Sequence, residues 1–311
     1  MPGPPRSRTA AALLMLAAAS CASAPRYPVD GARLHARVVR QVGMGPRVPR
    51  TPGHAAVVAW LNAELGRLGA RVEVQAFPDT VAGQTLEVRN VRAWFPAAGR
   101  RDGGPPRRLL LAAHYDTRPW SDQDPDASRR SLPIAGANDG GSGVAVLLEI
   151  AELLSRRPAP VEVELAFFDC EDQGREAHPE EYSRGARGYA RRLGADRQVA
   201  AFLFDMVGDR DLGIYPEGYS SAHAANLVAM VWEGARLTGA RGFQEGIRHN
   251  VVDDHIPLIE AGLPTVDIID LDYPAWHTQA DRPDQVSPES LAQVARVAAW
   301  LVYDSPLARG R

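Results

Sequence analysis

Apolar side chains at Val58, Leu61, Leu65 and Leu68 recur at helical spacing, with Thr51-Pro52 before them and Gly69 after them. Those flanking residues are start and stop signals, so a helix is expected between them. A second helix is expected around Leu34–Val42, inside a Pro-, Gly- and Arg-rich lead-in over 25–50. Strand patterns follow at Arg71–Phe77 and Leu86–Phe95, then a turn-rich stretch at Gly99–Pro106. Arg108–Ala113 (RLLLAA) is an unbroken apolar run, the mark of a central strand covered on both faces. The loop after it runs for about 20 residues, long for a packed domain and therefore a suspect for function. From about Gly140, Val144, Leu147, Leu148, Ala151 and Leu154 form a helical stripe. Val161–Phe168, Ala200–Val207 and Thr265–Ile269 read as further strands. Ala222–Thr238 and the stretch opened by Ser287-Pro288-Glu289 read as helices. Strands alternating with helices, without repeat or linker, predict one α/β domain: a mixed, mostly parallel central sheet flanked by helices.

Composition narrows the function. Hydrophobic residues make up 45% of the 311, and the 28 Gly and 25 Pro are scattered, which excludes collagen, coiled coil and wholesale disorder. All 35 basic residues are Arg, and the net charge is −3, or −5 once residues 1–20 with Arg6 and Arg8 are set aside. A mildly acidic chain without a basic run is not built for nucleic acid. Two arginines in residues 1–9 precede the apolar run AAALLMLAAAS, which is too short to span a bilayer and reads as a bacterial secretory signal. Ala18-Ala19-Ser20-Cys21 resembles a lipoprotein processing site, although Ala18 stands where Leu is usual. The alternative is plain cleavage after Ala24, with Pro25 just past the cut. The expectation is a signal peptide or lipoprotein signal with its lead-in over 1–24, a catalytic domain over 25–311, and an exported bacterial protein. It would be periplasmic, or held to a membrane only by a lipid on Cys21. Cys170 then has no partner for an internal disulfide and reads as a small buried residue after a strand.

In open α/β sheets, sites form beyond the carboxyl ends of the strands. Here those ends carry His114-Tyr115-Asp116, Asn138-Asp139 at the close of the long loop, Asp169-Cys170-Glu171-Asp172, and Asp205. Asp253-Asp254-His255 precedes a helix, and Trp276-His277-Thr278 follows the last strand. One such Asp is usually a turn residue; five carboxylate positions and two histidines on one edge form a set of oxygen and imidazole donors that suits zinc.

The order HYD…GANDGGSG…FFDCED…FDMVGD…DDHIP…WHT, with GPRVPRTPGH before the first long helix, resembles the zinc-dependent glutaminyl cyclases and their relatives, the M28 aminopeptidases. The likeness runs from about Val42 to the end. It implies a fold of the zinc aminopeptidase type and one zinc held by Asp139, Asp172 and His277. It also implies Glu171 as acid/base, Asp205 and Asp253 as a hydrogen-bonded carboxylate pair, and Trp276 as a wall of the substrate pocket. Peptide or protein N-termini are the implied substrates, with N-terminal Gln closing to pyroglutamate and ammonia leaving. Two carboxylates and an imidazole leave a fourth zinc position open, as catalysis needs. The alternative is a two-zinc aminopeptidase, with Asp139 bridging, His114 and Asp205 on the second metal, and Glu171 activating water. Asp253 where aminopeptidases commonly carry Ser, Trp276 before His277, and the cyclase-like loop DTRPWSDQDPD favour the cyclase. The absence of Trp from residues 173–183, where animal cyclases carry a pocket Trp, points the other way. His54 is expected near a helix start, and His35, His178, His223 and His249 at the surface or in packing. His255 should support the site or the fold, and Trp60, Trp232 and Trp300 should lie in the core. Trp120, in the long loop, could rim the pocket.

Overall fold

A computed structural model describes residues 27–81, 83–99, 107–175, 177–194 and 198–310, with Met1 and Gly3. The expected signal and Cys21 therefore lie outside the described residues. Six strands make one sheet: β1 (Arg71–Val81), β2 (Gln84–Phe95), β3 (Arg108–His114), β4 (Glu162–Phe168), β5 (Ala200–Asp205) and β6 (Thr265–Ile269). Their spatial order is β1-β2-β4-β3-β5-β6. β4, β3, β5 and β6 run parallel, while β1 and β2 form an antiparallel hairpin on the β4 edge. The mixed, mostly parallel sheet predicted from the strand pattern is thus present.

Nine α-helices surround the sheet among the described residues. They are α1 (Gly31–Gly43), α2 (Pro52–Arg67), α3 (Gly141–Arg156), α4 (Arg184–Ala190), α5 (Gly218–His223), α6 (Ala225–Thr238), α7 (His255–Glu260), α8 (Pro288–Tyr303) and α9 (Pro306–Arg309). Alternation along the strands decides which face each residue serves. Leu109, Leu111, Ala113, Val163, Leu165, Phe167, Phe202 and Phe204 join the larger core, with apolar residues of α1, α2, α3, α6 and α8. Leu110, Ala112, Ala166, Phe168, Ala201 and Leu203 pack on the other face against Ala186 and Tyr189 of α4 and Leu258 of α7. Trp60 and Trp300 are in the larger core, and Trp232 packs against it. No helix among the described residues is long and apolar enough to cross a membrane.

Caps explain several boundaries. Thr51 accepts from the His54 N–H with Pro52 in the first turn, and Ser287 does the same for α8 with Pro288. Three expectations are corrected. The helix expected over Ala222–Thr238 is two helices, because the backbone of Ala224 turns out of helical geometry (φ −144°, ψ 41°). The strand expected to reach Val207 stops at Asp205, because Met206 turns left-handed (φ 47°). α4 was not foreseen, since Gly185 and Gly188 weaken its helical pattern. Both are Gly because a β-carbon at 185 would meet the Asp169 carbonyl, and one at 188 the Phe77 ring.

Two glycines weld α3 to the strand ends. A β-carbon on Gly140 would lie 2.4 Å from the His114 carbonyl oxygen, and one on Gly143 would lie 2.0 Å from that of Phe204. Gly143→Ala must therefore prise α3 from β5. The expected loss is about 1–3 kcal/mol of unfolding free energy, read by urea titration.

Candidate active site

The carboxyl ends of β3, β4 and β5 deliver the chemistry to one edge. Asp139, Glu171, Asp172, Tyr182, Asp205, Met206, Asp253, Trp276 and His277 line a cavity of about 70 Å³, with Val251, Val252, Ile269 and Leu271 around them. The predicted residues that meet there come from five separate stretches of chain. His114 stands behind them, fully buried, its Nε2 3.2 Å from both Asp139 Oδ1 and Asp205 Oδ1.

Asp139, Asp172 and His277 each offer a donor atom within 4.8 Å of the others, and all three are buried. His277 Nε2 is 3.6 Å from Asp139 Oδ2 and 3.5 Å from Asp172 Oδ1. Asp172 Oδ2 is a buried oxygen without a hydrogen-bond partner among the described residues. Such an atom is costly unless a proton or cation meets it. Two carboxylates, one imidazole and a free oxygen between them fit a zinc ion. His114, Asp139 and Asp205 form a second trio of the same size, with Asp139 common to both.

Glu171 beside the first trio is held by its backbone. Asp116 accepts from the N–H groups of Glu171 (3.0 Å) and Asp172 (3.2 Å) and from Gln173 Nε2 (2.8 Å), which pins the loop after β4. Burial, then the charges of Asp253 and Asp172, push the Glu171 carboxyl well above the usual range. Burial and the nearby Asp205 charge raise Asp253 to about 7. Burial raises Asp205 as well. No hydrogen bond joins Asp205 to Asp253 among the described contacts. Asp205 pairs with His114 instead, and Asp253 Oδ2 has no partner. The pair expected from the sequence is therefore coupled through charge, because His114 reaches Asp205 first.

Cys170 (φ 53°), Met206 (φ 47°) and His277 (φ 53°) hold left-handed backbone without being Gly. Each sits in or beside a stretch that supplies a site residue, where strain persists only if its surroundings enforce it. Cys170 itself is buried and free, as its position after a strand suggested.

The stretch 173–183 and Trp120 are placed differently from expectation, whereas the histidines outside the site lie where the sequence suggested. The stretch 173–183 does supply a pocket wall, through Tyr182 rather than Trp. Trp120 does not line the cavity; its ring takes the Arg118 guanidinium at 5.2 Å. His54 lies inside α2, buried, with Nε2 2.9 Å from Asp169 Oδ1 at the foot of the Glu171 loop. His35 meets the Pro283 carbonyl, and His178 and His249 pair with Glu180 and Asp272 away from the cavity. His223 is exposed, whereas His255 opens α7 fully buried, 3.3 Å from Glu217. Sequence reasoning missed Arg118 and Asp122, although the long loop that carries them was marked as functional.

Residues 97–302 match peptidase family M28. The chain is 28% identical over 324 residues to a glutaminyl-peptide cyclotransferase-like protein of Bos taurus, spanning 88% of this chain and 80% of that protein. Among solved structures, Tannerella forsythia glutaminyl cyclase is similar at 34% identity and a TM-score of 0.82, covering 89% of this chain and 99% of that one. A Zn-dependent exopeptidase from Parabacteroides distasonis is similar at 34% identity and a TM-score of 0.82, covering 89% of this chain and 98% of that one.

Proposed function

The chain belongs to peptidase family M28, and within that family we propose that it is a glutaminyl-peptide cyclotransferase acting on peptide or protein N-termini that begin with Gln. The observation that carries this reading is the small cavity in which Glu171, with its raised pKa, lies beside the Asp139–Asp172–His277 trio.

Asp139, Asp172 and His277 would hold zinc, which when bound supplies a Lewis acid for the side-chain amide carbonyl. The α-amine nitrogen of the substrate bonds to the amide carbon, a five-membered ring closes, and the bond to the amide nitrogen breaks. The Glu171 carboxylate takes a proton from the amine and gives it to the departing ammonia, a transfer suited to a carboxyl of raised pKa. Burial, with the nearby carboxylates of Asp253 and Asp172, disfavours a further negative charge and so holds Glu171's affinity for that proton high, and Asp205 raises Asp253 in turn. Trp276, stacked on the His277 ring at a centroid distance of 4.0 Å, and Tyr182 wall the cavity and exclude water, which would otherwise compete with the amine.

The second trio, His114–Asp139–Asp205, favours one rival: a two-zinc aminopeptidase. The two readings separate on metal count and product. One tightly held zinc per chain is expected, with ammonia released from Gln-peptides and little amine released from amino-acid anilides. Two zincs with strong anilide cleavage would sink the cyclase. The pattern of residues 1–24 further supports export, with 25–311 as one catalytic domain and a lipid on Cys21. Failure of the full chain to take up labelled fatty acid would remove the lipid from this proposal.

A further inference from the structure

We propose that Arg118 and Asp122 are positioning residues for the metal, one guanidinium and one carboxylate that together aim two of its three ligands. This rests on the reading of Asp139, Asp172 and His277 as the zinc-holding set. Arg118 is buried, with 1% of its side chain exposed. Its Nε and Nη2 each donate to Asp122 at 2.7 Å, while Nη1 donates to Asp172 Oδ1 at 2.8 Å and to the Gly174 carbonyl at 3.1 Å. Asp122 in turn puts Oδ1 3.4 Å from His277 Nδ1.

The consequences follow from donor and acceptor counting. With Nδ1–H directed at Asp122, the His277 ring is held in the tautomer that leaves the Nε2 lone pair facing the trio. With Oδ1 of Asp172 held by Arg118, the carboxylate is fixed in orientation and its Oδ2, without a hydrogen-bond partner among the described residues, stays open to a cation. A planar fork with five N–H groups can hold both carboxylates at once, which an ammonium cannot do in this geometry. Backbone bonds keep the clamp closed: the Gln123 N–H donates to the His277 carbonyl at 3.2 Å, and the Gln279 N–H to Asp124 Oδ2 at 2.8 Å. The same guanidinium lies 5.6 Å from the centre of the Tyr182 ring, so the pocket wall and the ligand set share one support.

Charge alone predicts the opposite sign. A buried cation next to a metal site repels a dication, so its removal should tighten zinc binding. Positioning predicts that its removal weakens it. The test is zinc affinity by competition with a chromophoric chelator, for wild type, Arg118→Met, Asp122→Ala, Asp122→Asn and Asp139→Ala. Arg118→Met and Asp122→Ala are each expected to bind zinc about 10–100-fold more weakly. Asp122→Asn should recover part of that loss, because an amide oxygen still accepts from Nδ1–H. Equal or tighter zinc binding by Arg118→Met or Asp122→Ala, or no recovery in Asp122→Asn, overturns the proposal. Wild-type affinity in Asp139→Ala overturns the ligand reading beneath it instead. Metal-free melting of each variant separates lost positioning from lost fold. Asp122, with 26% of its side chain exposed, provides the test if Arg118→Met does not fold.

Discussion

Glu171→Gln should lower turnover of Gln-peptides by about 10²–10⁴ while the protein keeps its zinc. The amide fills the same space but cannot accept the amine's proton, so chemistry is lost and shape is kept. Substrate binding should change far less than turnover, because the side chain contributes its basicity and not its bulk. The contrast lies one residue away. Asp172→Ala removes an anionic donor, so zinc affinity should fall. Single-turnover kinetics with metal analysis on both variants reads the two roles separately. Exchange of the two phenotypes would mean that the roles of these neighbours are reversed, and wild-type turnover in Glu171→Gln would end the mechanism.

His277→Ala and Asp139→Ala should each lose metal and activity together. Either change leaves two donors where zinc needs at least three from the protein. His277→Ala also leaves Asp122 with Arg118 alone, so the clamp should survive and the apo fold with it. Asp139→Ala additionally removes one partner, 3.2 Å away, from His114 Nε2, leaving it Asp205 and the Gly140 N–H. Elemental analysis after dialysis, beside ammonia release, is the measurement. A variant that keeps both zinc and full activity shows that its residue is not a ligand.

The sheet and the donor set were legible in the sequence for a local reason. A short apolar run such as RLLLAA between turn signals is the pattern of a strand covered on both faces, and a polar residue at its carboxyl end then falls at the edge where sites form. That argument placed His114, Asp139, Asp205 and the Glu171–Asp172 pair. It did not reach residues whose role depends on a partner far along the chain. Asp122 looks like one of several acids in a Pro- and Asp-rich loop until His277, 155 positions later, is folded against it. His54 reads as a helix-start residue until Asp169, 115 positions on, meets its ring. Tyr182 was hidden by a different fault: Trp was the residue sought, and any large ring at that place can form the wall. Local propensity failed where tertiary contact overrode it, as in α4, whose two glycines lower helicity but are imposed by Asn90, Asp169 and Phe77 crowding against them.

Asp139 lies at the mouth of α3 and belongs to both donor trios. With that residue shared, one backbone presents both sets of donors. On the reading proposed above, the two chemistries would differ in which trio holds metal, and the hydrogen bond between His114 and Asp205 would keep the donors of the second trio on each other. Substitutions at 114, 205 and 253 would then be the natural starting library for directed evolution between the two chemistries.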